Sequence, residues 1–412
     1  MVFCLFTKMT QYDQSNNLQS NTIEKRKKII SKLEELRGSK ILIYFCGDRP
    51  NLIANIHPES VRWIYEHLLS MNKGDGVDQI DLYLYSRGGS LEAPWQIISV
   101  LRQFCKKLNV LIPYKAYSAA TLLALGADKI FMGRKGELGP IDPQMIGESP
   151  IGPPGTIPKT ISVEDITSYI SFLKEKVGLT DQNALSGLTK TLADNLSAPT
   201  LGQINRTHSH IRLVARKMLA LAEPAIDNVK INQIVESLTE KIYVHGHSIG
   251  RDEAQQIGIQ VERMNHDLEK LCWDLFLEYE ELMKLNSPPH PLAYFHDDNI
   301  DEYKEQNAVI ASIESIGKYH ECSGPFSLKV RRLFSQPVNI TINLPIQLPP
   351  GFDVQAMPQH IQQILQQLQQ DFIQQVQSMV SEQIRKQSTI TGVDIRAEHI
   401  IWKEVSNSAI TT

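Results

Sequence analysis

Between residues 40 and 132, short apolar runs alternate with segments of helical periodicity, and that alternation restricts the fold more than any other feature of the chain. The runs are Ile41–Cys46 (ILIYFC), Ile80–Tyr85 (IDLYLY), Val110–Tyr114 (VLIPY) and Lys129–Met132 (KIFM), and Glu59–Ser70, Ala93–Lys106 and Ala119–Ala127 read as helices between them. Strands that are apolar along their whole length are buried on both faces, so the spacing predicts βαβ units around a parallel sheet covered by helices. A leading helix, Ile23–Leu36, carries its apolar residues at helical spacing and stops at Gly38.

The rest of the chain divides by composition. Residues 1–22, polar from residue 11 on, are expected to form a disordered tail. The 139–160 stretch holds six prolines and four glycines, which no helix or central strand accommodates, so it reads as a long loop. Val163 to Leu238 is helical in pattern, and Lys241–Val261 reads as strand, turn, short helix and strand, closing a first domain over 23–262. Met264–Leu285 is an amphipathic helix within a 263–285 connector, and the triple-proline stretch from Pro288 to Pro291 breaks the chain after it. Residues 286–412 read as an α+β C-terminal region with a half-buried strand at Asn339–Leu348 and a Gln-rich helix over 357–385.

With 42 Lys+Arg against 46 Asp+Glu the net charge is −4, which argues against a nucleic-acid partner. Cys4, Cys46, Cys105, Cys272 and Cys322 form no CxxC and no disulfide framework, which points to a reducing cytoplasm. The apolar start MVFCLF is too short for a signal segment, and no stretch approaches the roughly 18–20 apolar residues of a membrane span. Peripheral membrane association stays open.

Three features fall on this frame in an order that suits nucleophilic chemistry. Ser86-Arg87-Gly88-Gly89-Ser90 follows the strand ending at Tyr85, and paired glycines let backbone N–H groups gather on one side while a ligand approaches closely. A plain tight turn is the competing reading, and the pattern lacks the features of a nucleotide-phosphate loop. Ser118 in Tyr117-Ser118-Ala119-Ala120-Thr121 stands at a strand-to-helix junction, as a nucleophile beside free N–H groups or simply as an N-cap. A base must accompany a serine nucleophile, yet no histidine lies between His67 and His208, which favours a desolvated lysine. Lys159 in TIPKT, between Ile157 and Ile161, and Lys135 in MGRKGELG are the two candidates.

The HxH pairs His208/His210 and His245/His247 lack a further ligand at metal spacing, and His290 and His296 fall in a proline-broken loop, so no metal and no cofactor are expected.

Together IDLYLYSRGGSLEAPWQI, VLIPYKAYSAATLLALGADKIFMG, ELGPIDPQ and VHGHSIGRDEAQQIGIQV closely resemble the serine dehydrogenase proteinase family, SppA/ClpP-like serine peptidases of the ClpP/crotonase superfamily. The resemblance runs from about residue 25 to 262. It implies a ClpP/crotonase-like α/β spiral of βαβ units with a helical C-terminal extension, and a peptidase acting on polypeptide substrates as a homo-oligomer. It further implies that Ser118 is the nucleophile, that Gly88, Gly89 and the Ala119 amide form the oxyanion hole, and that Asp142 braces the site loop. In the related archaeal proteases that cleave stomatin, the base is a lysine in a Pro-Lys-Ile context, to which Pro158-Lys159-Thr160 is similar. Two departures stand out. Ala120 replaces the usual glycine after Ser-Ala, and Arg87 replaces the proline of Thr-Pro-Gly-Gly, adding a cation suited to a substrate carboxylate. The competing functions are a catalytically silent peptide-binding scaffold and, more remotely, an acyl-CoA enzyme of the wider superfamily.

Overall fold

The computed structural model describes residues 21–405, apart from 73, 75, 142–143, 148–158, 242–245, 296–299 and 334–356. Chain contacts divide it into two compact units: the first takes the described residues up to Asn286 together with Val309–Ser323 and those from Ile401 on, and the second takes Ser287–Ala308 and Gly324–Ile400.

The first unit begins with helix α1 (residues 21–37), which buries Ile23, Ile30 and Leu33. Then follow β1 (Lys40–Cys46), β2 (Asp48–Arg49), β3 (Leu52–Ile53), α2 (Ser60–Met71), β4 (Val77–Tyr85), α3 (Ala93–Phe104), β5 (Cys105–Ile112), β6 (Lys115–Ala116), α4 (Ala119–Ala124), β7 (Lys129–Met132) and β8 (Glu137–Leu138). The fold is α/β, as the alternation predicts. Strands β4, β5 and β7 lie side by side in parallel, β1 joins the β4 edge in parallel, and Ile41–Cys46, Ile80–Tyr85 and Leu108–Ile112 are buried without a break. Uniform burial follows from helices on both faces, which leave no solvated side for polar residues to occupy.

Beyond β8, the stretch read as a plain loop carries a separate two-stranded sheet. Here β9 (Gln144–Gly147) pairs antiparallel with β10 (Lys159–Ser162), short strands set at the ends of the proline-rich segment. Helices α5 (Val163–Ser171), α6 (Gln182–Leu196), α7 (Ala198–Leu219) and α8 (Asn228–Glu236) follow. Next, β11 (Ile249–Gly250) pairs with β8, α9 (Arg251–Ile257) caps it, and β12 (Val261–Arg263) extends the parallel sheet beside β7. Helix α10 (His266–Met283) lays Leu268, Cys272, Leu275, Phe276, Tyr279 and Met283 on the sheet. The Phe45 ring stacks on Tyr85 at 4.4 Å and on Tyr279 at 4.7 Å. Each such buried side chain contributes about 1.5–3 kcal/mol.

The sheet gains a further edge that the periodicity does not show. Strands β13 (Glu302–Glu314) and β14 (Tyr319–Arg332) form a hairpin whose Ala311–Glu314 segment pairs antiparallel with β1. His320–Ser323 pairs with β16 (Ile401–Glu404).

In the second unit, the Phe326–Arg332 segment of β14 pairs with β15 (Ile390–Ala397), and Arg332 and Arg385 hold Asp301 at 2.9 and 3.0 Å. Helix α11 (Gln359–Gln387) matches the expected Gln-rich helix and leaves Leu368, Phe372 and Met379 exposed. The strand expected at Asn339–Leu348 lies outside the described residues. Among the described residues, no helix is long and apolar enough to cross a membrane.

Candidate active site

The site is built from loops at the carboxyl ends of β4 and β5, where an open parallel sheet leaves room for a ligand. Two bonds lay these loops side by side. The Ser86 amide donates to the Lys115 carbonyl and the Tyr117 amide to the Ser86 carbonyl, each at 3.0 Å. On the other flank, the Ile56 amide donates to the Gly88 carbonyl at 2.8 Å and the Ser90 amide to the Ile56 carbonyl at 2.9 Å. Gly88 and Gly89 are thereby pinned between two backbone segments.

Only glycine fits there. A Cβ on Gly89 would fall 2.3 Å from the Ile56 carbonyl oxygen, and one on Gly88 would fall 2.9 Å from Ser118 Cβ. Both residues also hold positive φ, at +120° for Gly88 and +150° for Gly89. Their amides differ. The Gly88 N–H donates to Ser86 Oγ at 3.0 Å, whereas, among the described residues, no acceptor takes the N–H of exposed Gly89 or that of Ala119.

Ser118 occupies the junction expected of it, in a conformation that sequence reasoning missed. Its φ of 52° and ψ of −115° lie outside the regions open to an L-residue, and its side chain makes no capping bond to α4. The N-cap reading therefore loses its physical basis. Strain of this kind persists only where surrounding structure enforces it, and it clusters at functional positions. Below Ser118, buried Thr121 Oγ1 lies 2.7 Å from the Ala116 carbonyl and 2.9 Å from that of Gly139, which share its single proton, and it accepts from the Gly139 amide at 3.0 Å. That ties the start of the GPIDPQ loop to the serine's own segment.

Beside the serine, the Tyr117 hydroxyl bonds Glu137, which also receives Lys135 Nζ at 2.9 Å. Burial and the Glu137 contact push the Tyr117 hydroxyl well above its ordinary value. Burial alone would raise the Glu137 carboxyl, but hydrogen bonds from Tyr117 and Lys135 outweigh it and hold Glu137 below the usual carboxylate range. The same bond raises the exposed Lys135, the wrong direction for a general base.

Other expected residues are placed as follows. Arg87 is exposed beside Gly88. The Lys159 backbone pairs with Gly147 in the two-stranded β9–β10 sheet, while its side chain, like Asp142, lies outside the described residues. His245 and His296 lie outside them too, and His247 pairs with Glu253 at 2.9 Å. Burial pushes the thiols of Cys46 and Cys322 up to about 12 and Cys105 up to about 11, which disfavours the thiolate at neutral pH. A cavity of about 530 Å³ is lined by Pro113, Arg134, Met264, Glu269 and Trp273 among others, and, among the described residues, Ser118 is not part of its lining.

Comparison with known proteins finds partial likenesses to this chain. Two uncharacterised proteins of Methanocaldococcus jannaschii match it: MJ0137 at 27% identity over 183 residues (44% of this chain, 53% of the relative) and MJ1495 at 24% over 204 residues (50% and 58%). The chain thus spans a little over half the length of the curated relatives it matches. Among solved structures, a mutant of the 1510-N membrane-bound stomatin-specific protease is 16% identical over 53% of this chain and 79% of that one, with a TM-score of 0.33. ClpP1 from Listeria monocytogenes is 15% identical over 57% and 98%, with a TM-score of 0.30. Over residues 1–153 the chain matches the ClpP-like SDH-type serine proteinase family, the family that its motifs resemble.

Proposed function

We propose that the chain is a serine peptidase that hydrolyses peptide bonds, with Ser118 as nucleophile and Lys159 as general base. One observation carries the reading: in a chain matching a serine proteinase family, Ser118 is held at φ 52°, uncapped, against a glycine pair in which no side chain beyond hydrogen fits. Ser118 Oγ attacks the substrate carbonyl carbon while its proton passes to the Lys159 amine. The carbonyl oxygen becomes an oxyanion, for which the N–H groups of Gly89 and Ala119 are the open donors and Gly88 the close backbone wall. Collapse of this intermediate breaks the C–N bond, and the lysine returns the proton to the leaving amine. Water, deprotonated by the same lysine, then hydrolyses the acyl-enzyme and regenerates Ser118.

A desolvated lysine suits this role because its charged form is disfavoured at neutral pH. The proline-rich stretch before Lys159 supports that environment in kind, and exposed Arg87 is positioned for a carboxylate of the polypeptide. Homo-oligomerisation, residence in a reducing cytoplasm and peripheral contact with membranes belong to the same reading; Leu368, Phe372 and Met379, exposed on α11, supply apolar surface for association.

A peptide-binding scaffold is the second reading, and one observation favours it: Ala120 follows Ser118-Ala119 where the family's motif has glycine, adding a methyl beside the nucleophile. The two separate cleanly by experiment. A fluorophosphonate probe labels the wild type and not Ser118→Ala if the serine is nucleophilic, and Lys159→Ala abolishes both labelling and cleavage of a casein substrate. Peptide binding that survives Ser118→Ala, with neither labelling nor cleavage products by mass spectrometry, would establish the scaffold instead.

A further inference from the structure

Away from Ser118, α2 meets the β13–β14 hairpin and β16 at a polar cluster in which the histidines are fully buried and Glu66 and Glu404 are not. His320 of β14 has no exposed surface, and its two ring nitrogens have different surroundings. Nδ1 lies 2.9 Å from His67 Nε2, and His67 Nδ1 in turn lies 2.7 Å from Ser315 Oγ. Nε2 is buried and, among the described residues, without a hydrogen-bond partner. It points at Glu66, whose Oε2 stands 3.5 Å away, too far for a good N–H···O bond. Glu404 of β16 completes the group. One ligand atom each from Glu66, His320 and Glu404 lies within 4.8 Å of the others.

We propose that Glu66, His320 and Glu404 bind a divalent first-row transition ion, with zinc as the best-matched probe. Three features support the assignment. First, imidazole nitrogen and carboxylate oxygen are both zinc ligands, and three protein ligands leave a fourth position to water. Second, zinc bonds of about 2.0–2.1 Å in a tetrahedron separate the ligand atoms by roughly 3.3 Å. The His320–Glu66 pair at 3.5 Å already has that spacing, and the half-exposed Glu404 side chain can close the remainder. Third, a ligating histidine ordinarily donates its other N–H to a polar partner, which orients the ring. The His320–His67–Ser315 chain does this when Nδ1–H donates to His67, and it leaves the Nε2 lone pair directed at the carboxylates.

The cluster already attracts positive charge. Lys318 Nζ lies 3.0 Å from Glu404 Oε1 and 4.0 Å from Glu66 Oε2, and Arg62 Nε lies 3.5 Å from Glu66 Oε1. The Lys318 ammonium is paired with the two carboxylates, whereas a divalent ion would coordinate both of them and the imidazole lone pair at once. Lys318 sits on the hairpin turn closed by the Ser315 amide and the Lys318 carbonyl, and its flexible stem can carry the ammonium out to solvent. Lys318 is thus the competitor for the site.

The test uses tag-free full-length protein titrated with Zn²⁺ alone, by calorimetry and by thermal melting, with Co²⁺ absorption to report coordination. Because His320 is buried and its replacement endangers folding, the informative variants are Glu404→Gln and Lys318→Met. One Zn²⁺ per chain is expected, weakened at least about tenfold by Glu404→Gln and tightened by Lys318→Met. Zn²⁺ should also raise the melting temperature of the wild type and not of Glu404→Gln. No stoichiometric uptake, or uptake indifferent to Glu404→Gln, overturns the assignment. Uptake only in Lys318→Met overturns it as well, because the lysine would then be the resident cation.

Discussion

The strained backbone at Ser118 predicts that the residue lowers stability for the sake of its position, and two substitutions there separate strain from chemistry. At φ 52° and ψ −115° a residue bearing a Cβ costs about 1–3 kcal/mol. Ser118→Gly removes that cost and loses about 0.5–1 kcal/mol through the greater backbone freedom of glycine when unfolded. The net is a stabilisation of about 1 kcal/mol, or roughly 1–2 °C in melting temperature for a chain of this length. Ser118→Ala keeps the Cβ, hence the strain, and should melt within about 0.5 kcal/mol of the wild type. Both lose the hydroxyl and with it fluorophosphonate labelling and proteolysis. Comparing the two inactive variants by calorimetric melting and urea titration isolates the Cβ. Should Ser118→Gly melt at or below Ser118→Ala, the conformation stores no strain, and the structural argument for a nucleophile at Ser118 goes with it.

Three further outcomes follow from the same geometry. Gly89→Ala, whose Cβ would lie 2.3 Å from the Ile56 carbonyl oxygen, should destabilise the fold and abolish activity, whereas Arg87→Ala should leave stability unchanged and alter only KM, as parallel melts and steady-state kinetics will show. Arg26 and Glu314 form a buried pair at 2.7 Å, with the Tyr279 hydroxyl donating to the same carboxylate at 2.6 Å. Removing one partner leaves an uncompensated charge, so Arg26→Met should cost about 3–5 kcal/mol in urea unfolding and the double variant Arg26→Met/Glu314→Gln clearly less. The depressed Glu137 carboxyl contributes stability that is present above the unfolded carboxylate range and is lost as pH falls through the lower folded value. Glu137→Gln should accordingly flatten the acid limb of a stability-against-pH curve, and an unchanged limb would mean that the Tyr117–Glu137–Lys135 contacts contribute nothing.

What was legible in the sequence was what is encoded locally. Strands β1, β4 and β5 are buried on both faces, which favours apolar runs, and the polar exceptions, Asp81 and Asn109, are tolerated because they bond each other. The β13–β14 hairpin was not legible. Glu314, His320 and Glu321 are fully buried yet polar, and they interrupt any hydrophobic pattern. They are tolerated because partners distant in the chain satisfy them: Arg26 reaches Glu314 across 288 positions, and His67 reaches His320 across 253. No periodicity reports a contact of that range. Likewise, the junction at Ser118 is a local feature, while its strain arises only once the Ser86 and Tyr117 segments are bonded together.

The adjacent glycines carry the point furthest. In the sequence they are interchangeable, each an open amide permitting close approach. In the fold, Ile56 grips the strand through the Gly88 carbonyl, and Ser86 Oγ, two residues upstream, consumes the Gly88 N–H. What remains unengaged on this loop, among the described residues, is the Gly89 amide, beside that of Ala119. Two glycines are therefore needed for space, and one of them for its donor. Ser86→Ala tests that division: releasing the Gly88 N–H frees a third donor and relaxes the loop, so if the oxyanion is held by Gly89 and Ala119 alone, kcat should fall as the loop loosens. A rise in kcat would show that the Gly88 amide serves the oxyanion once it is free.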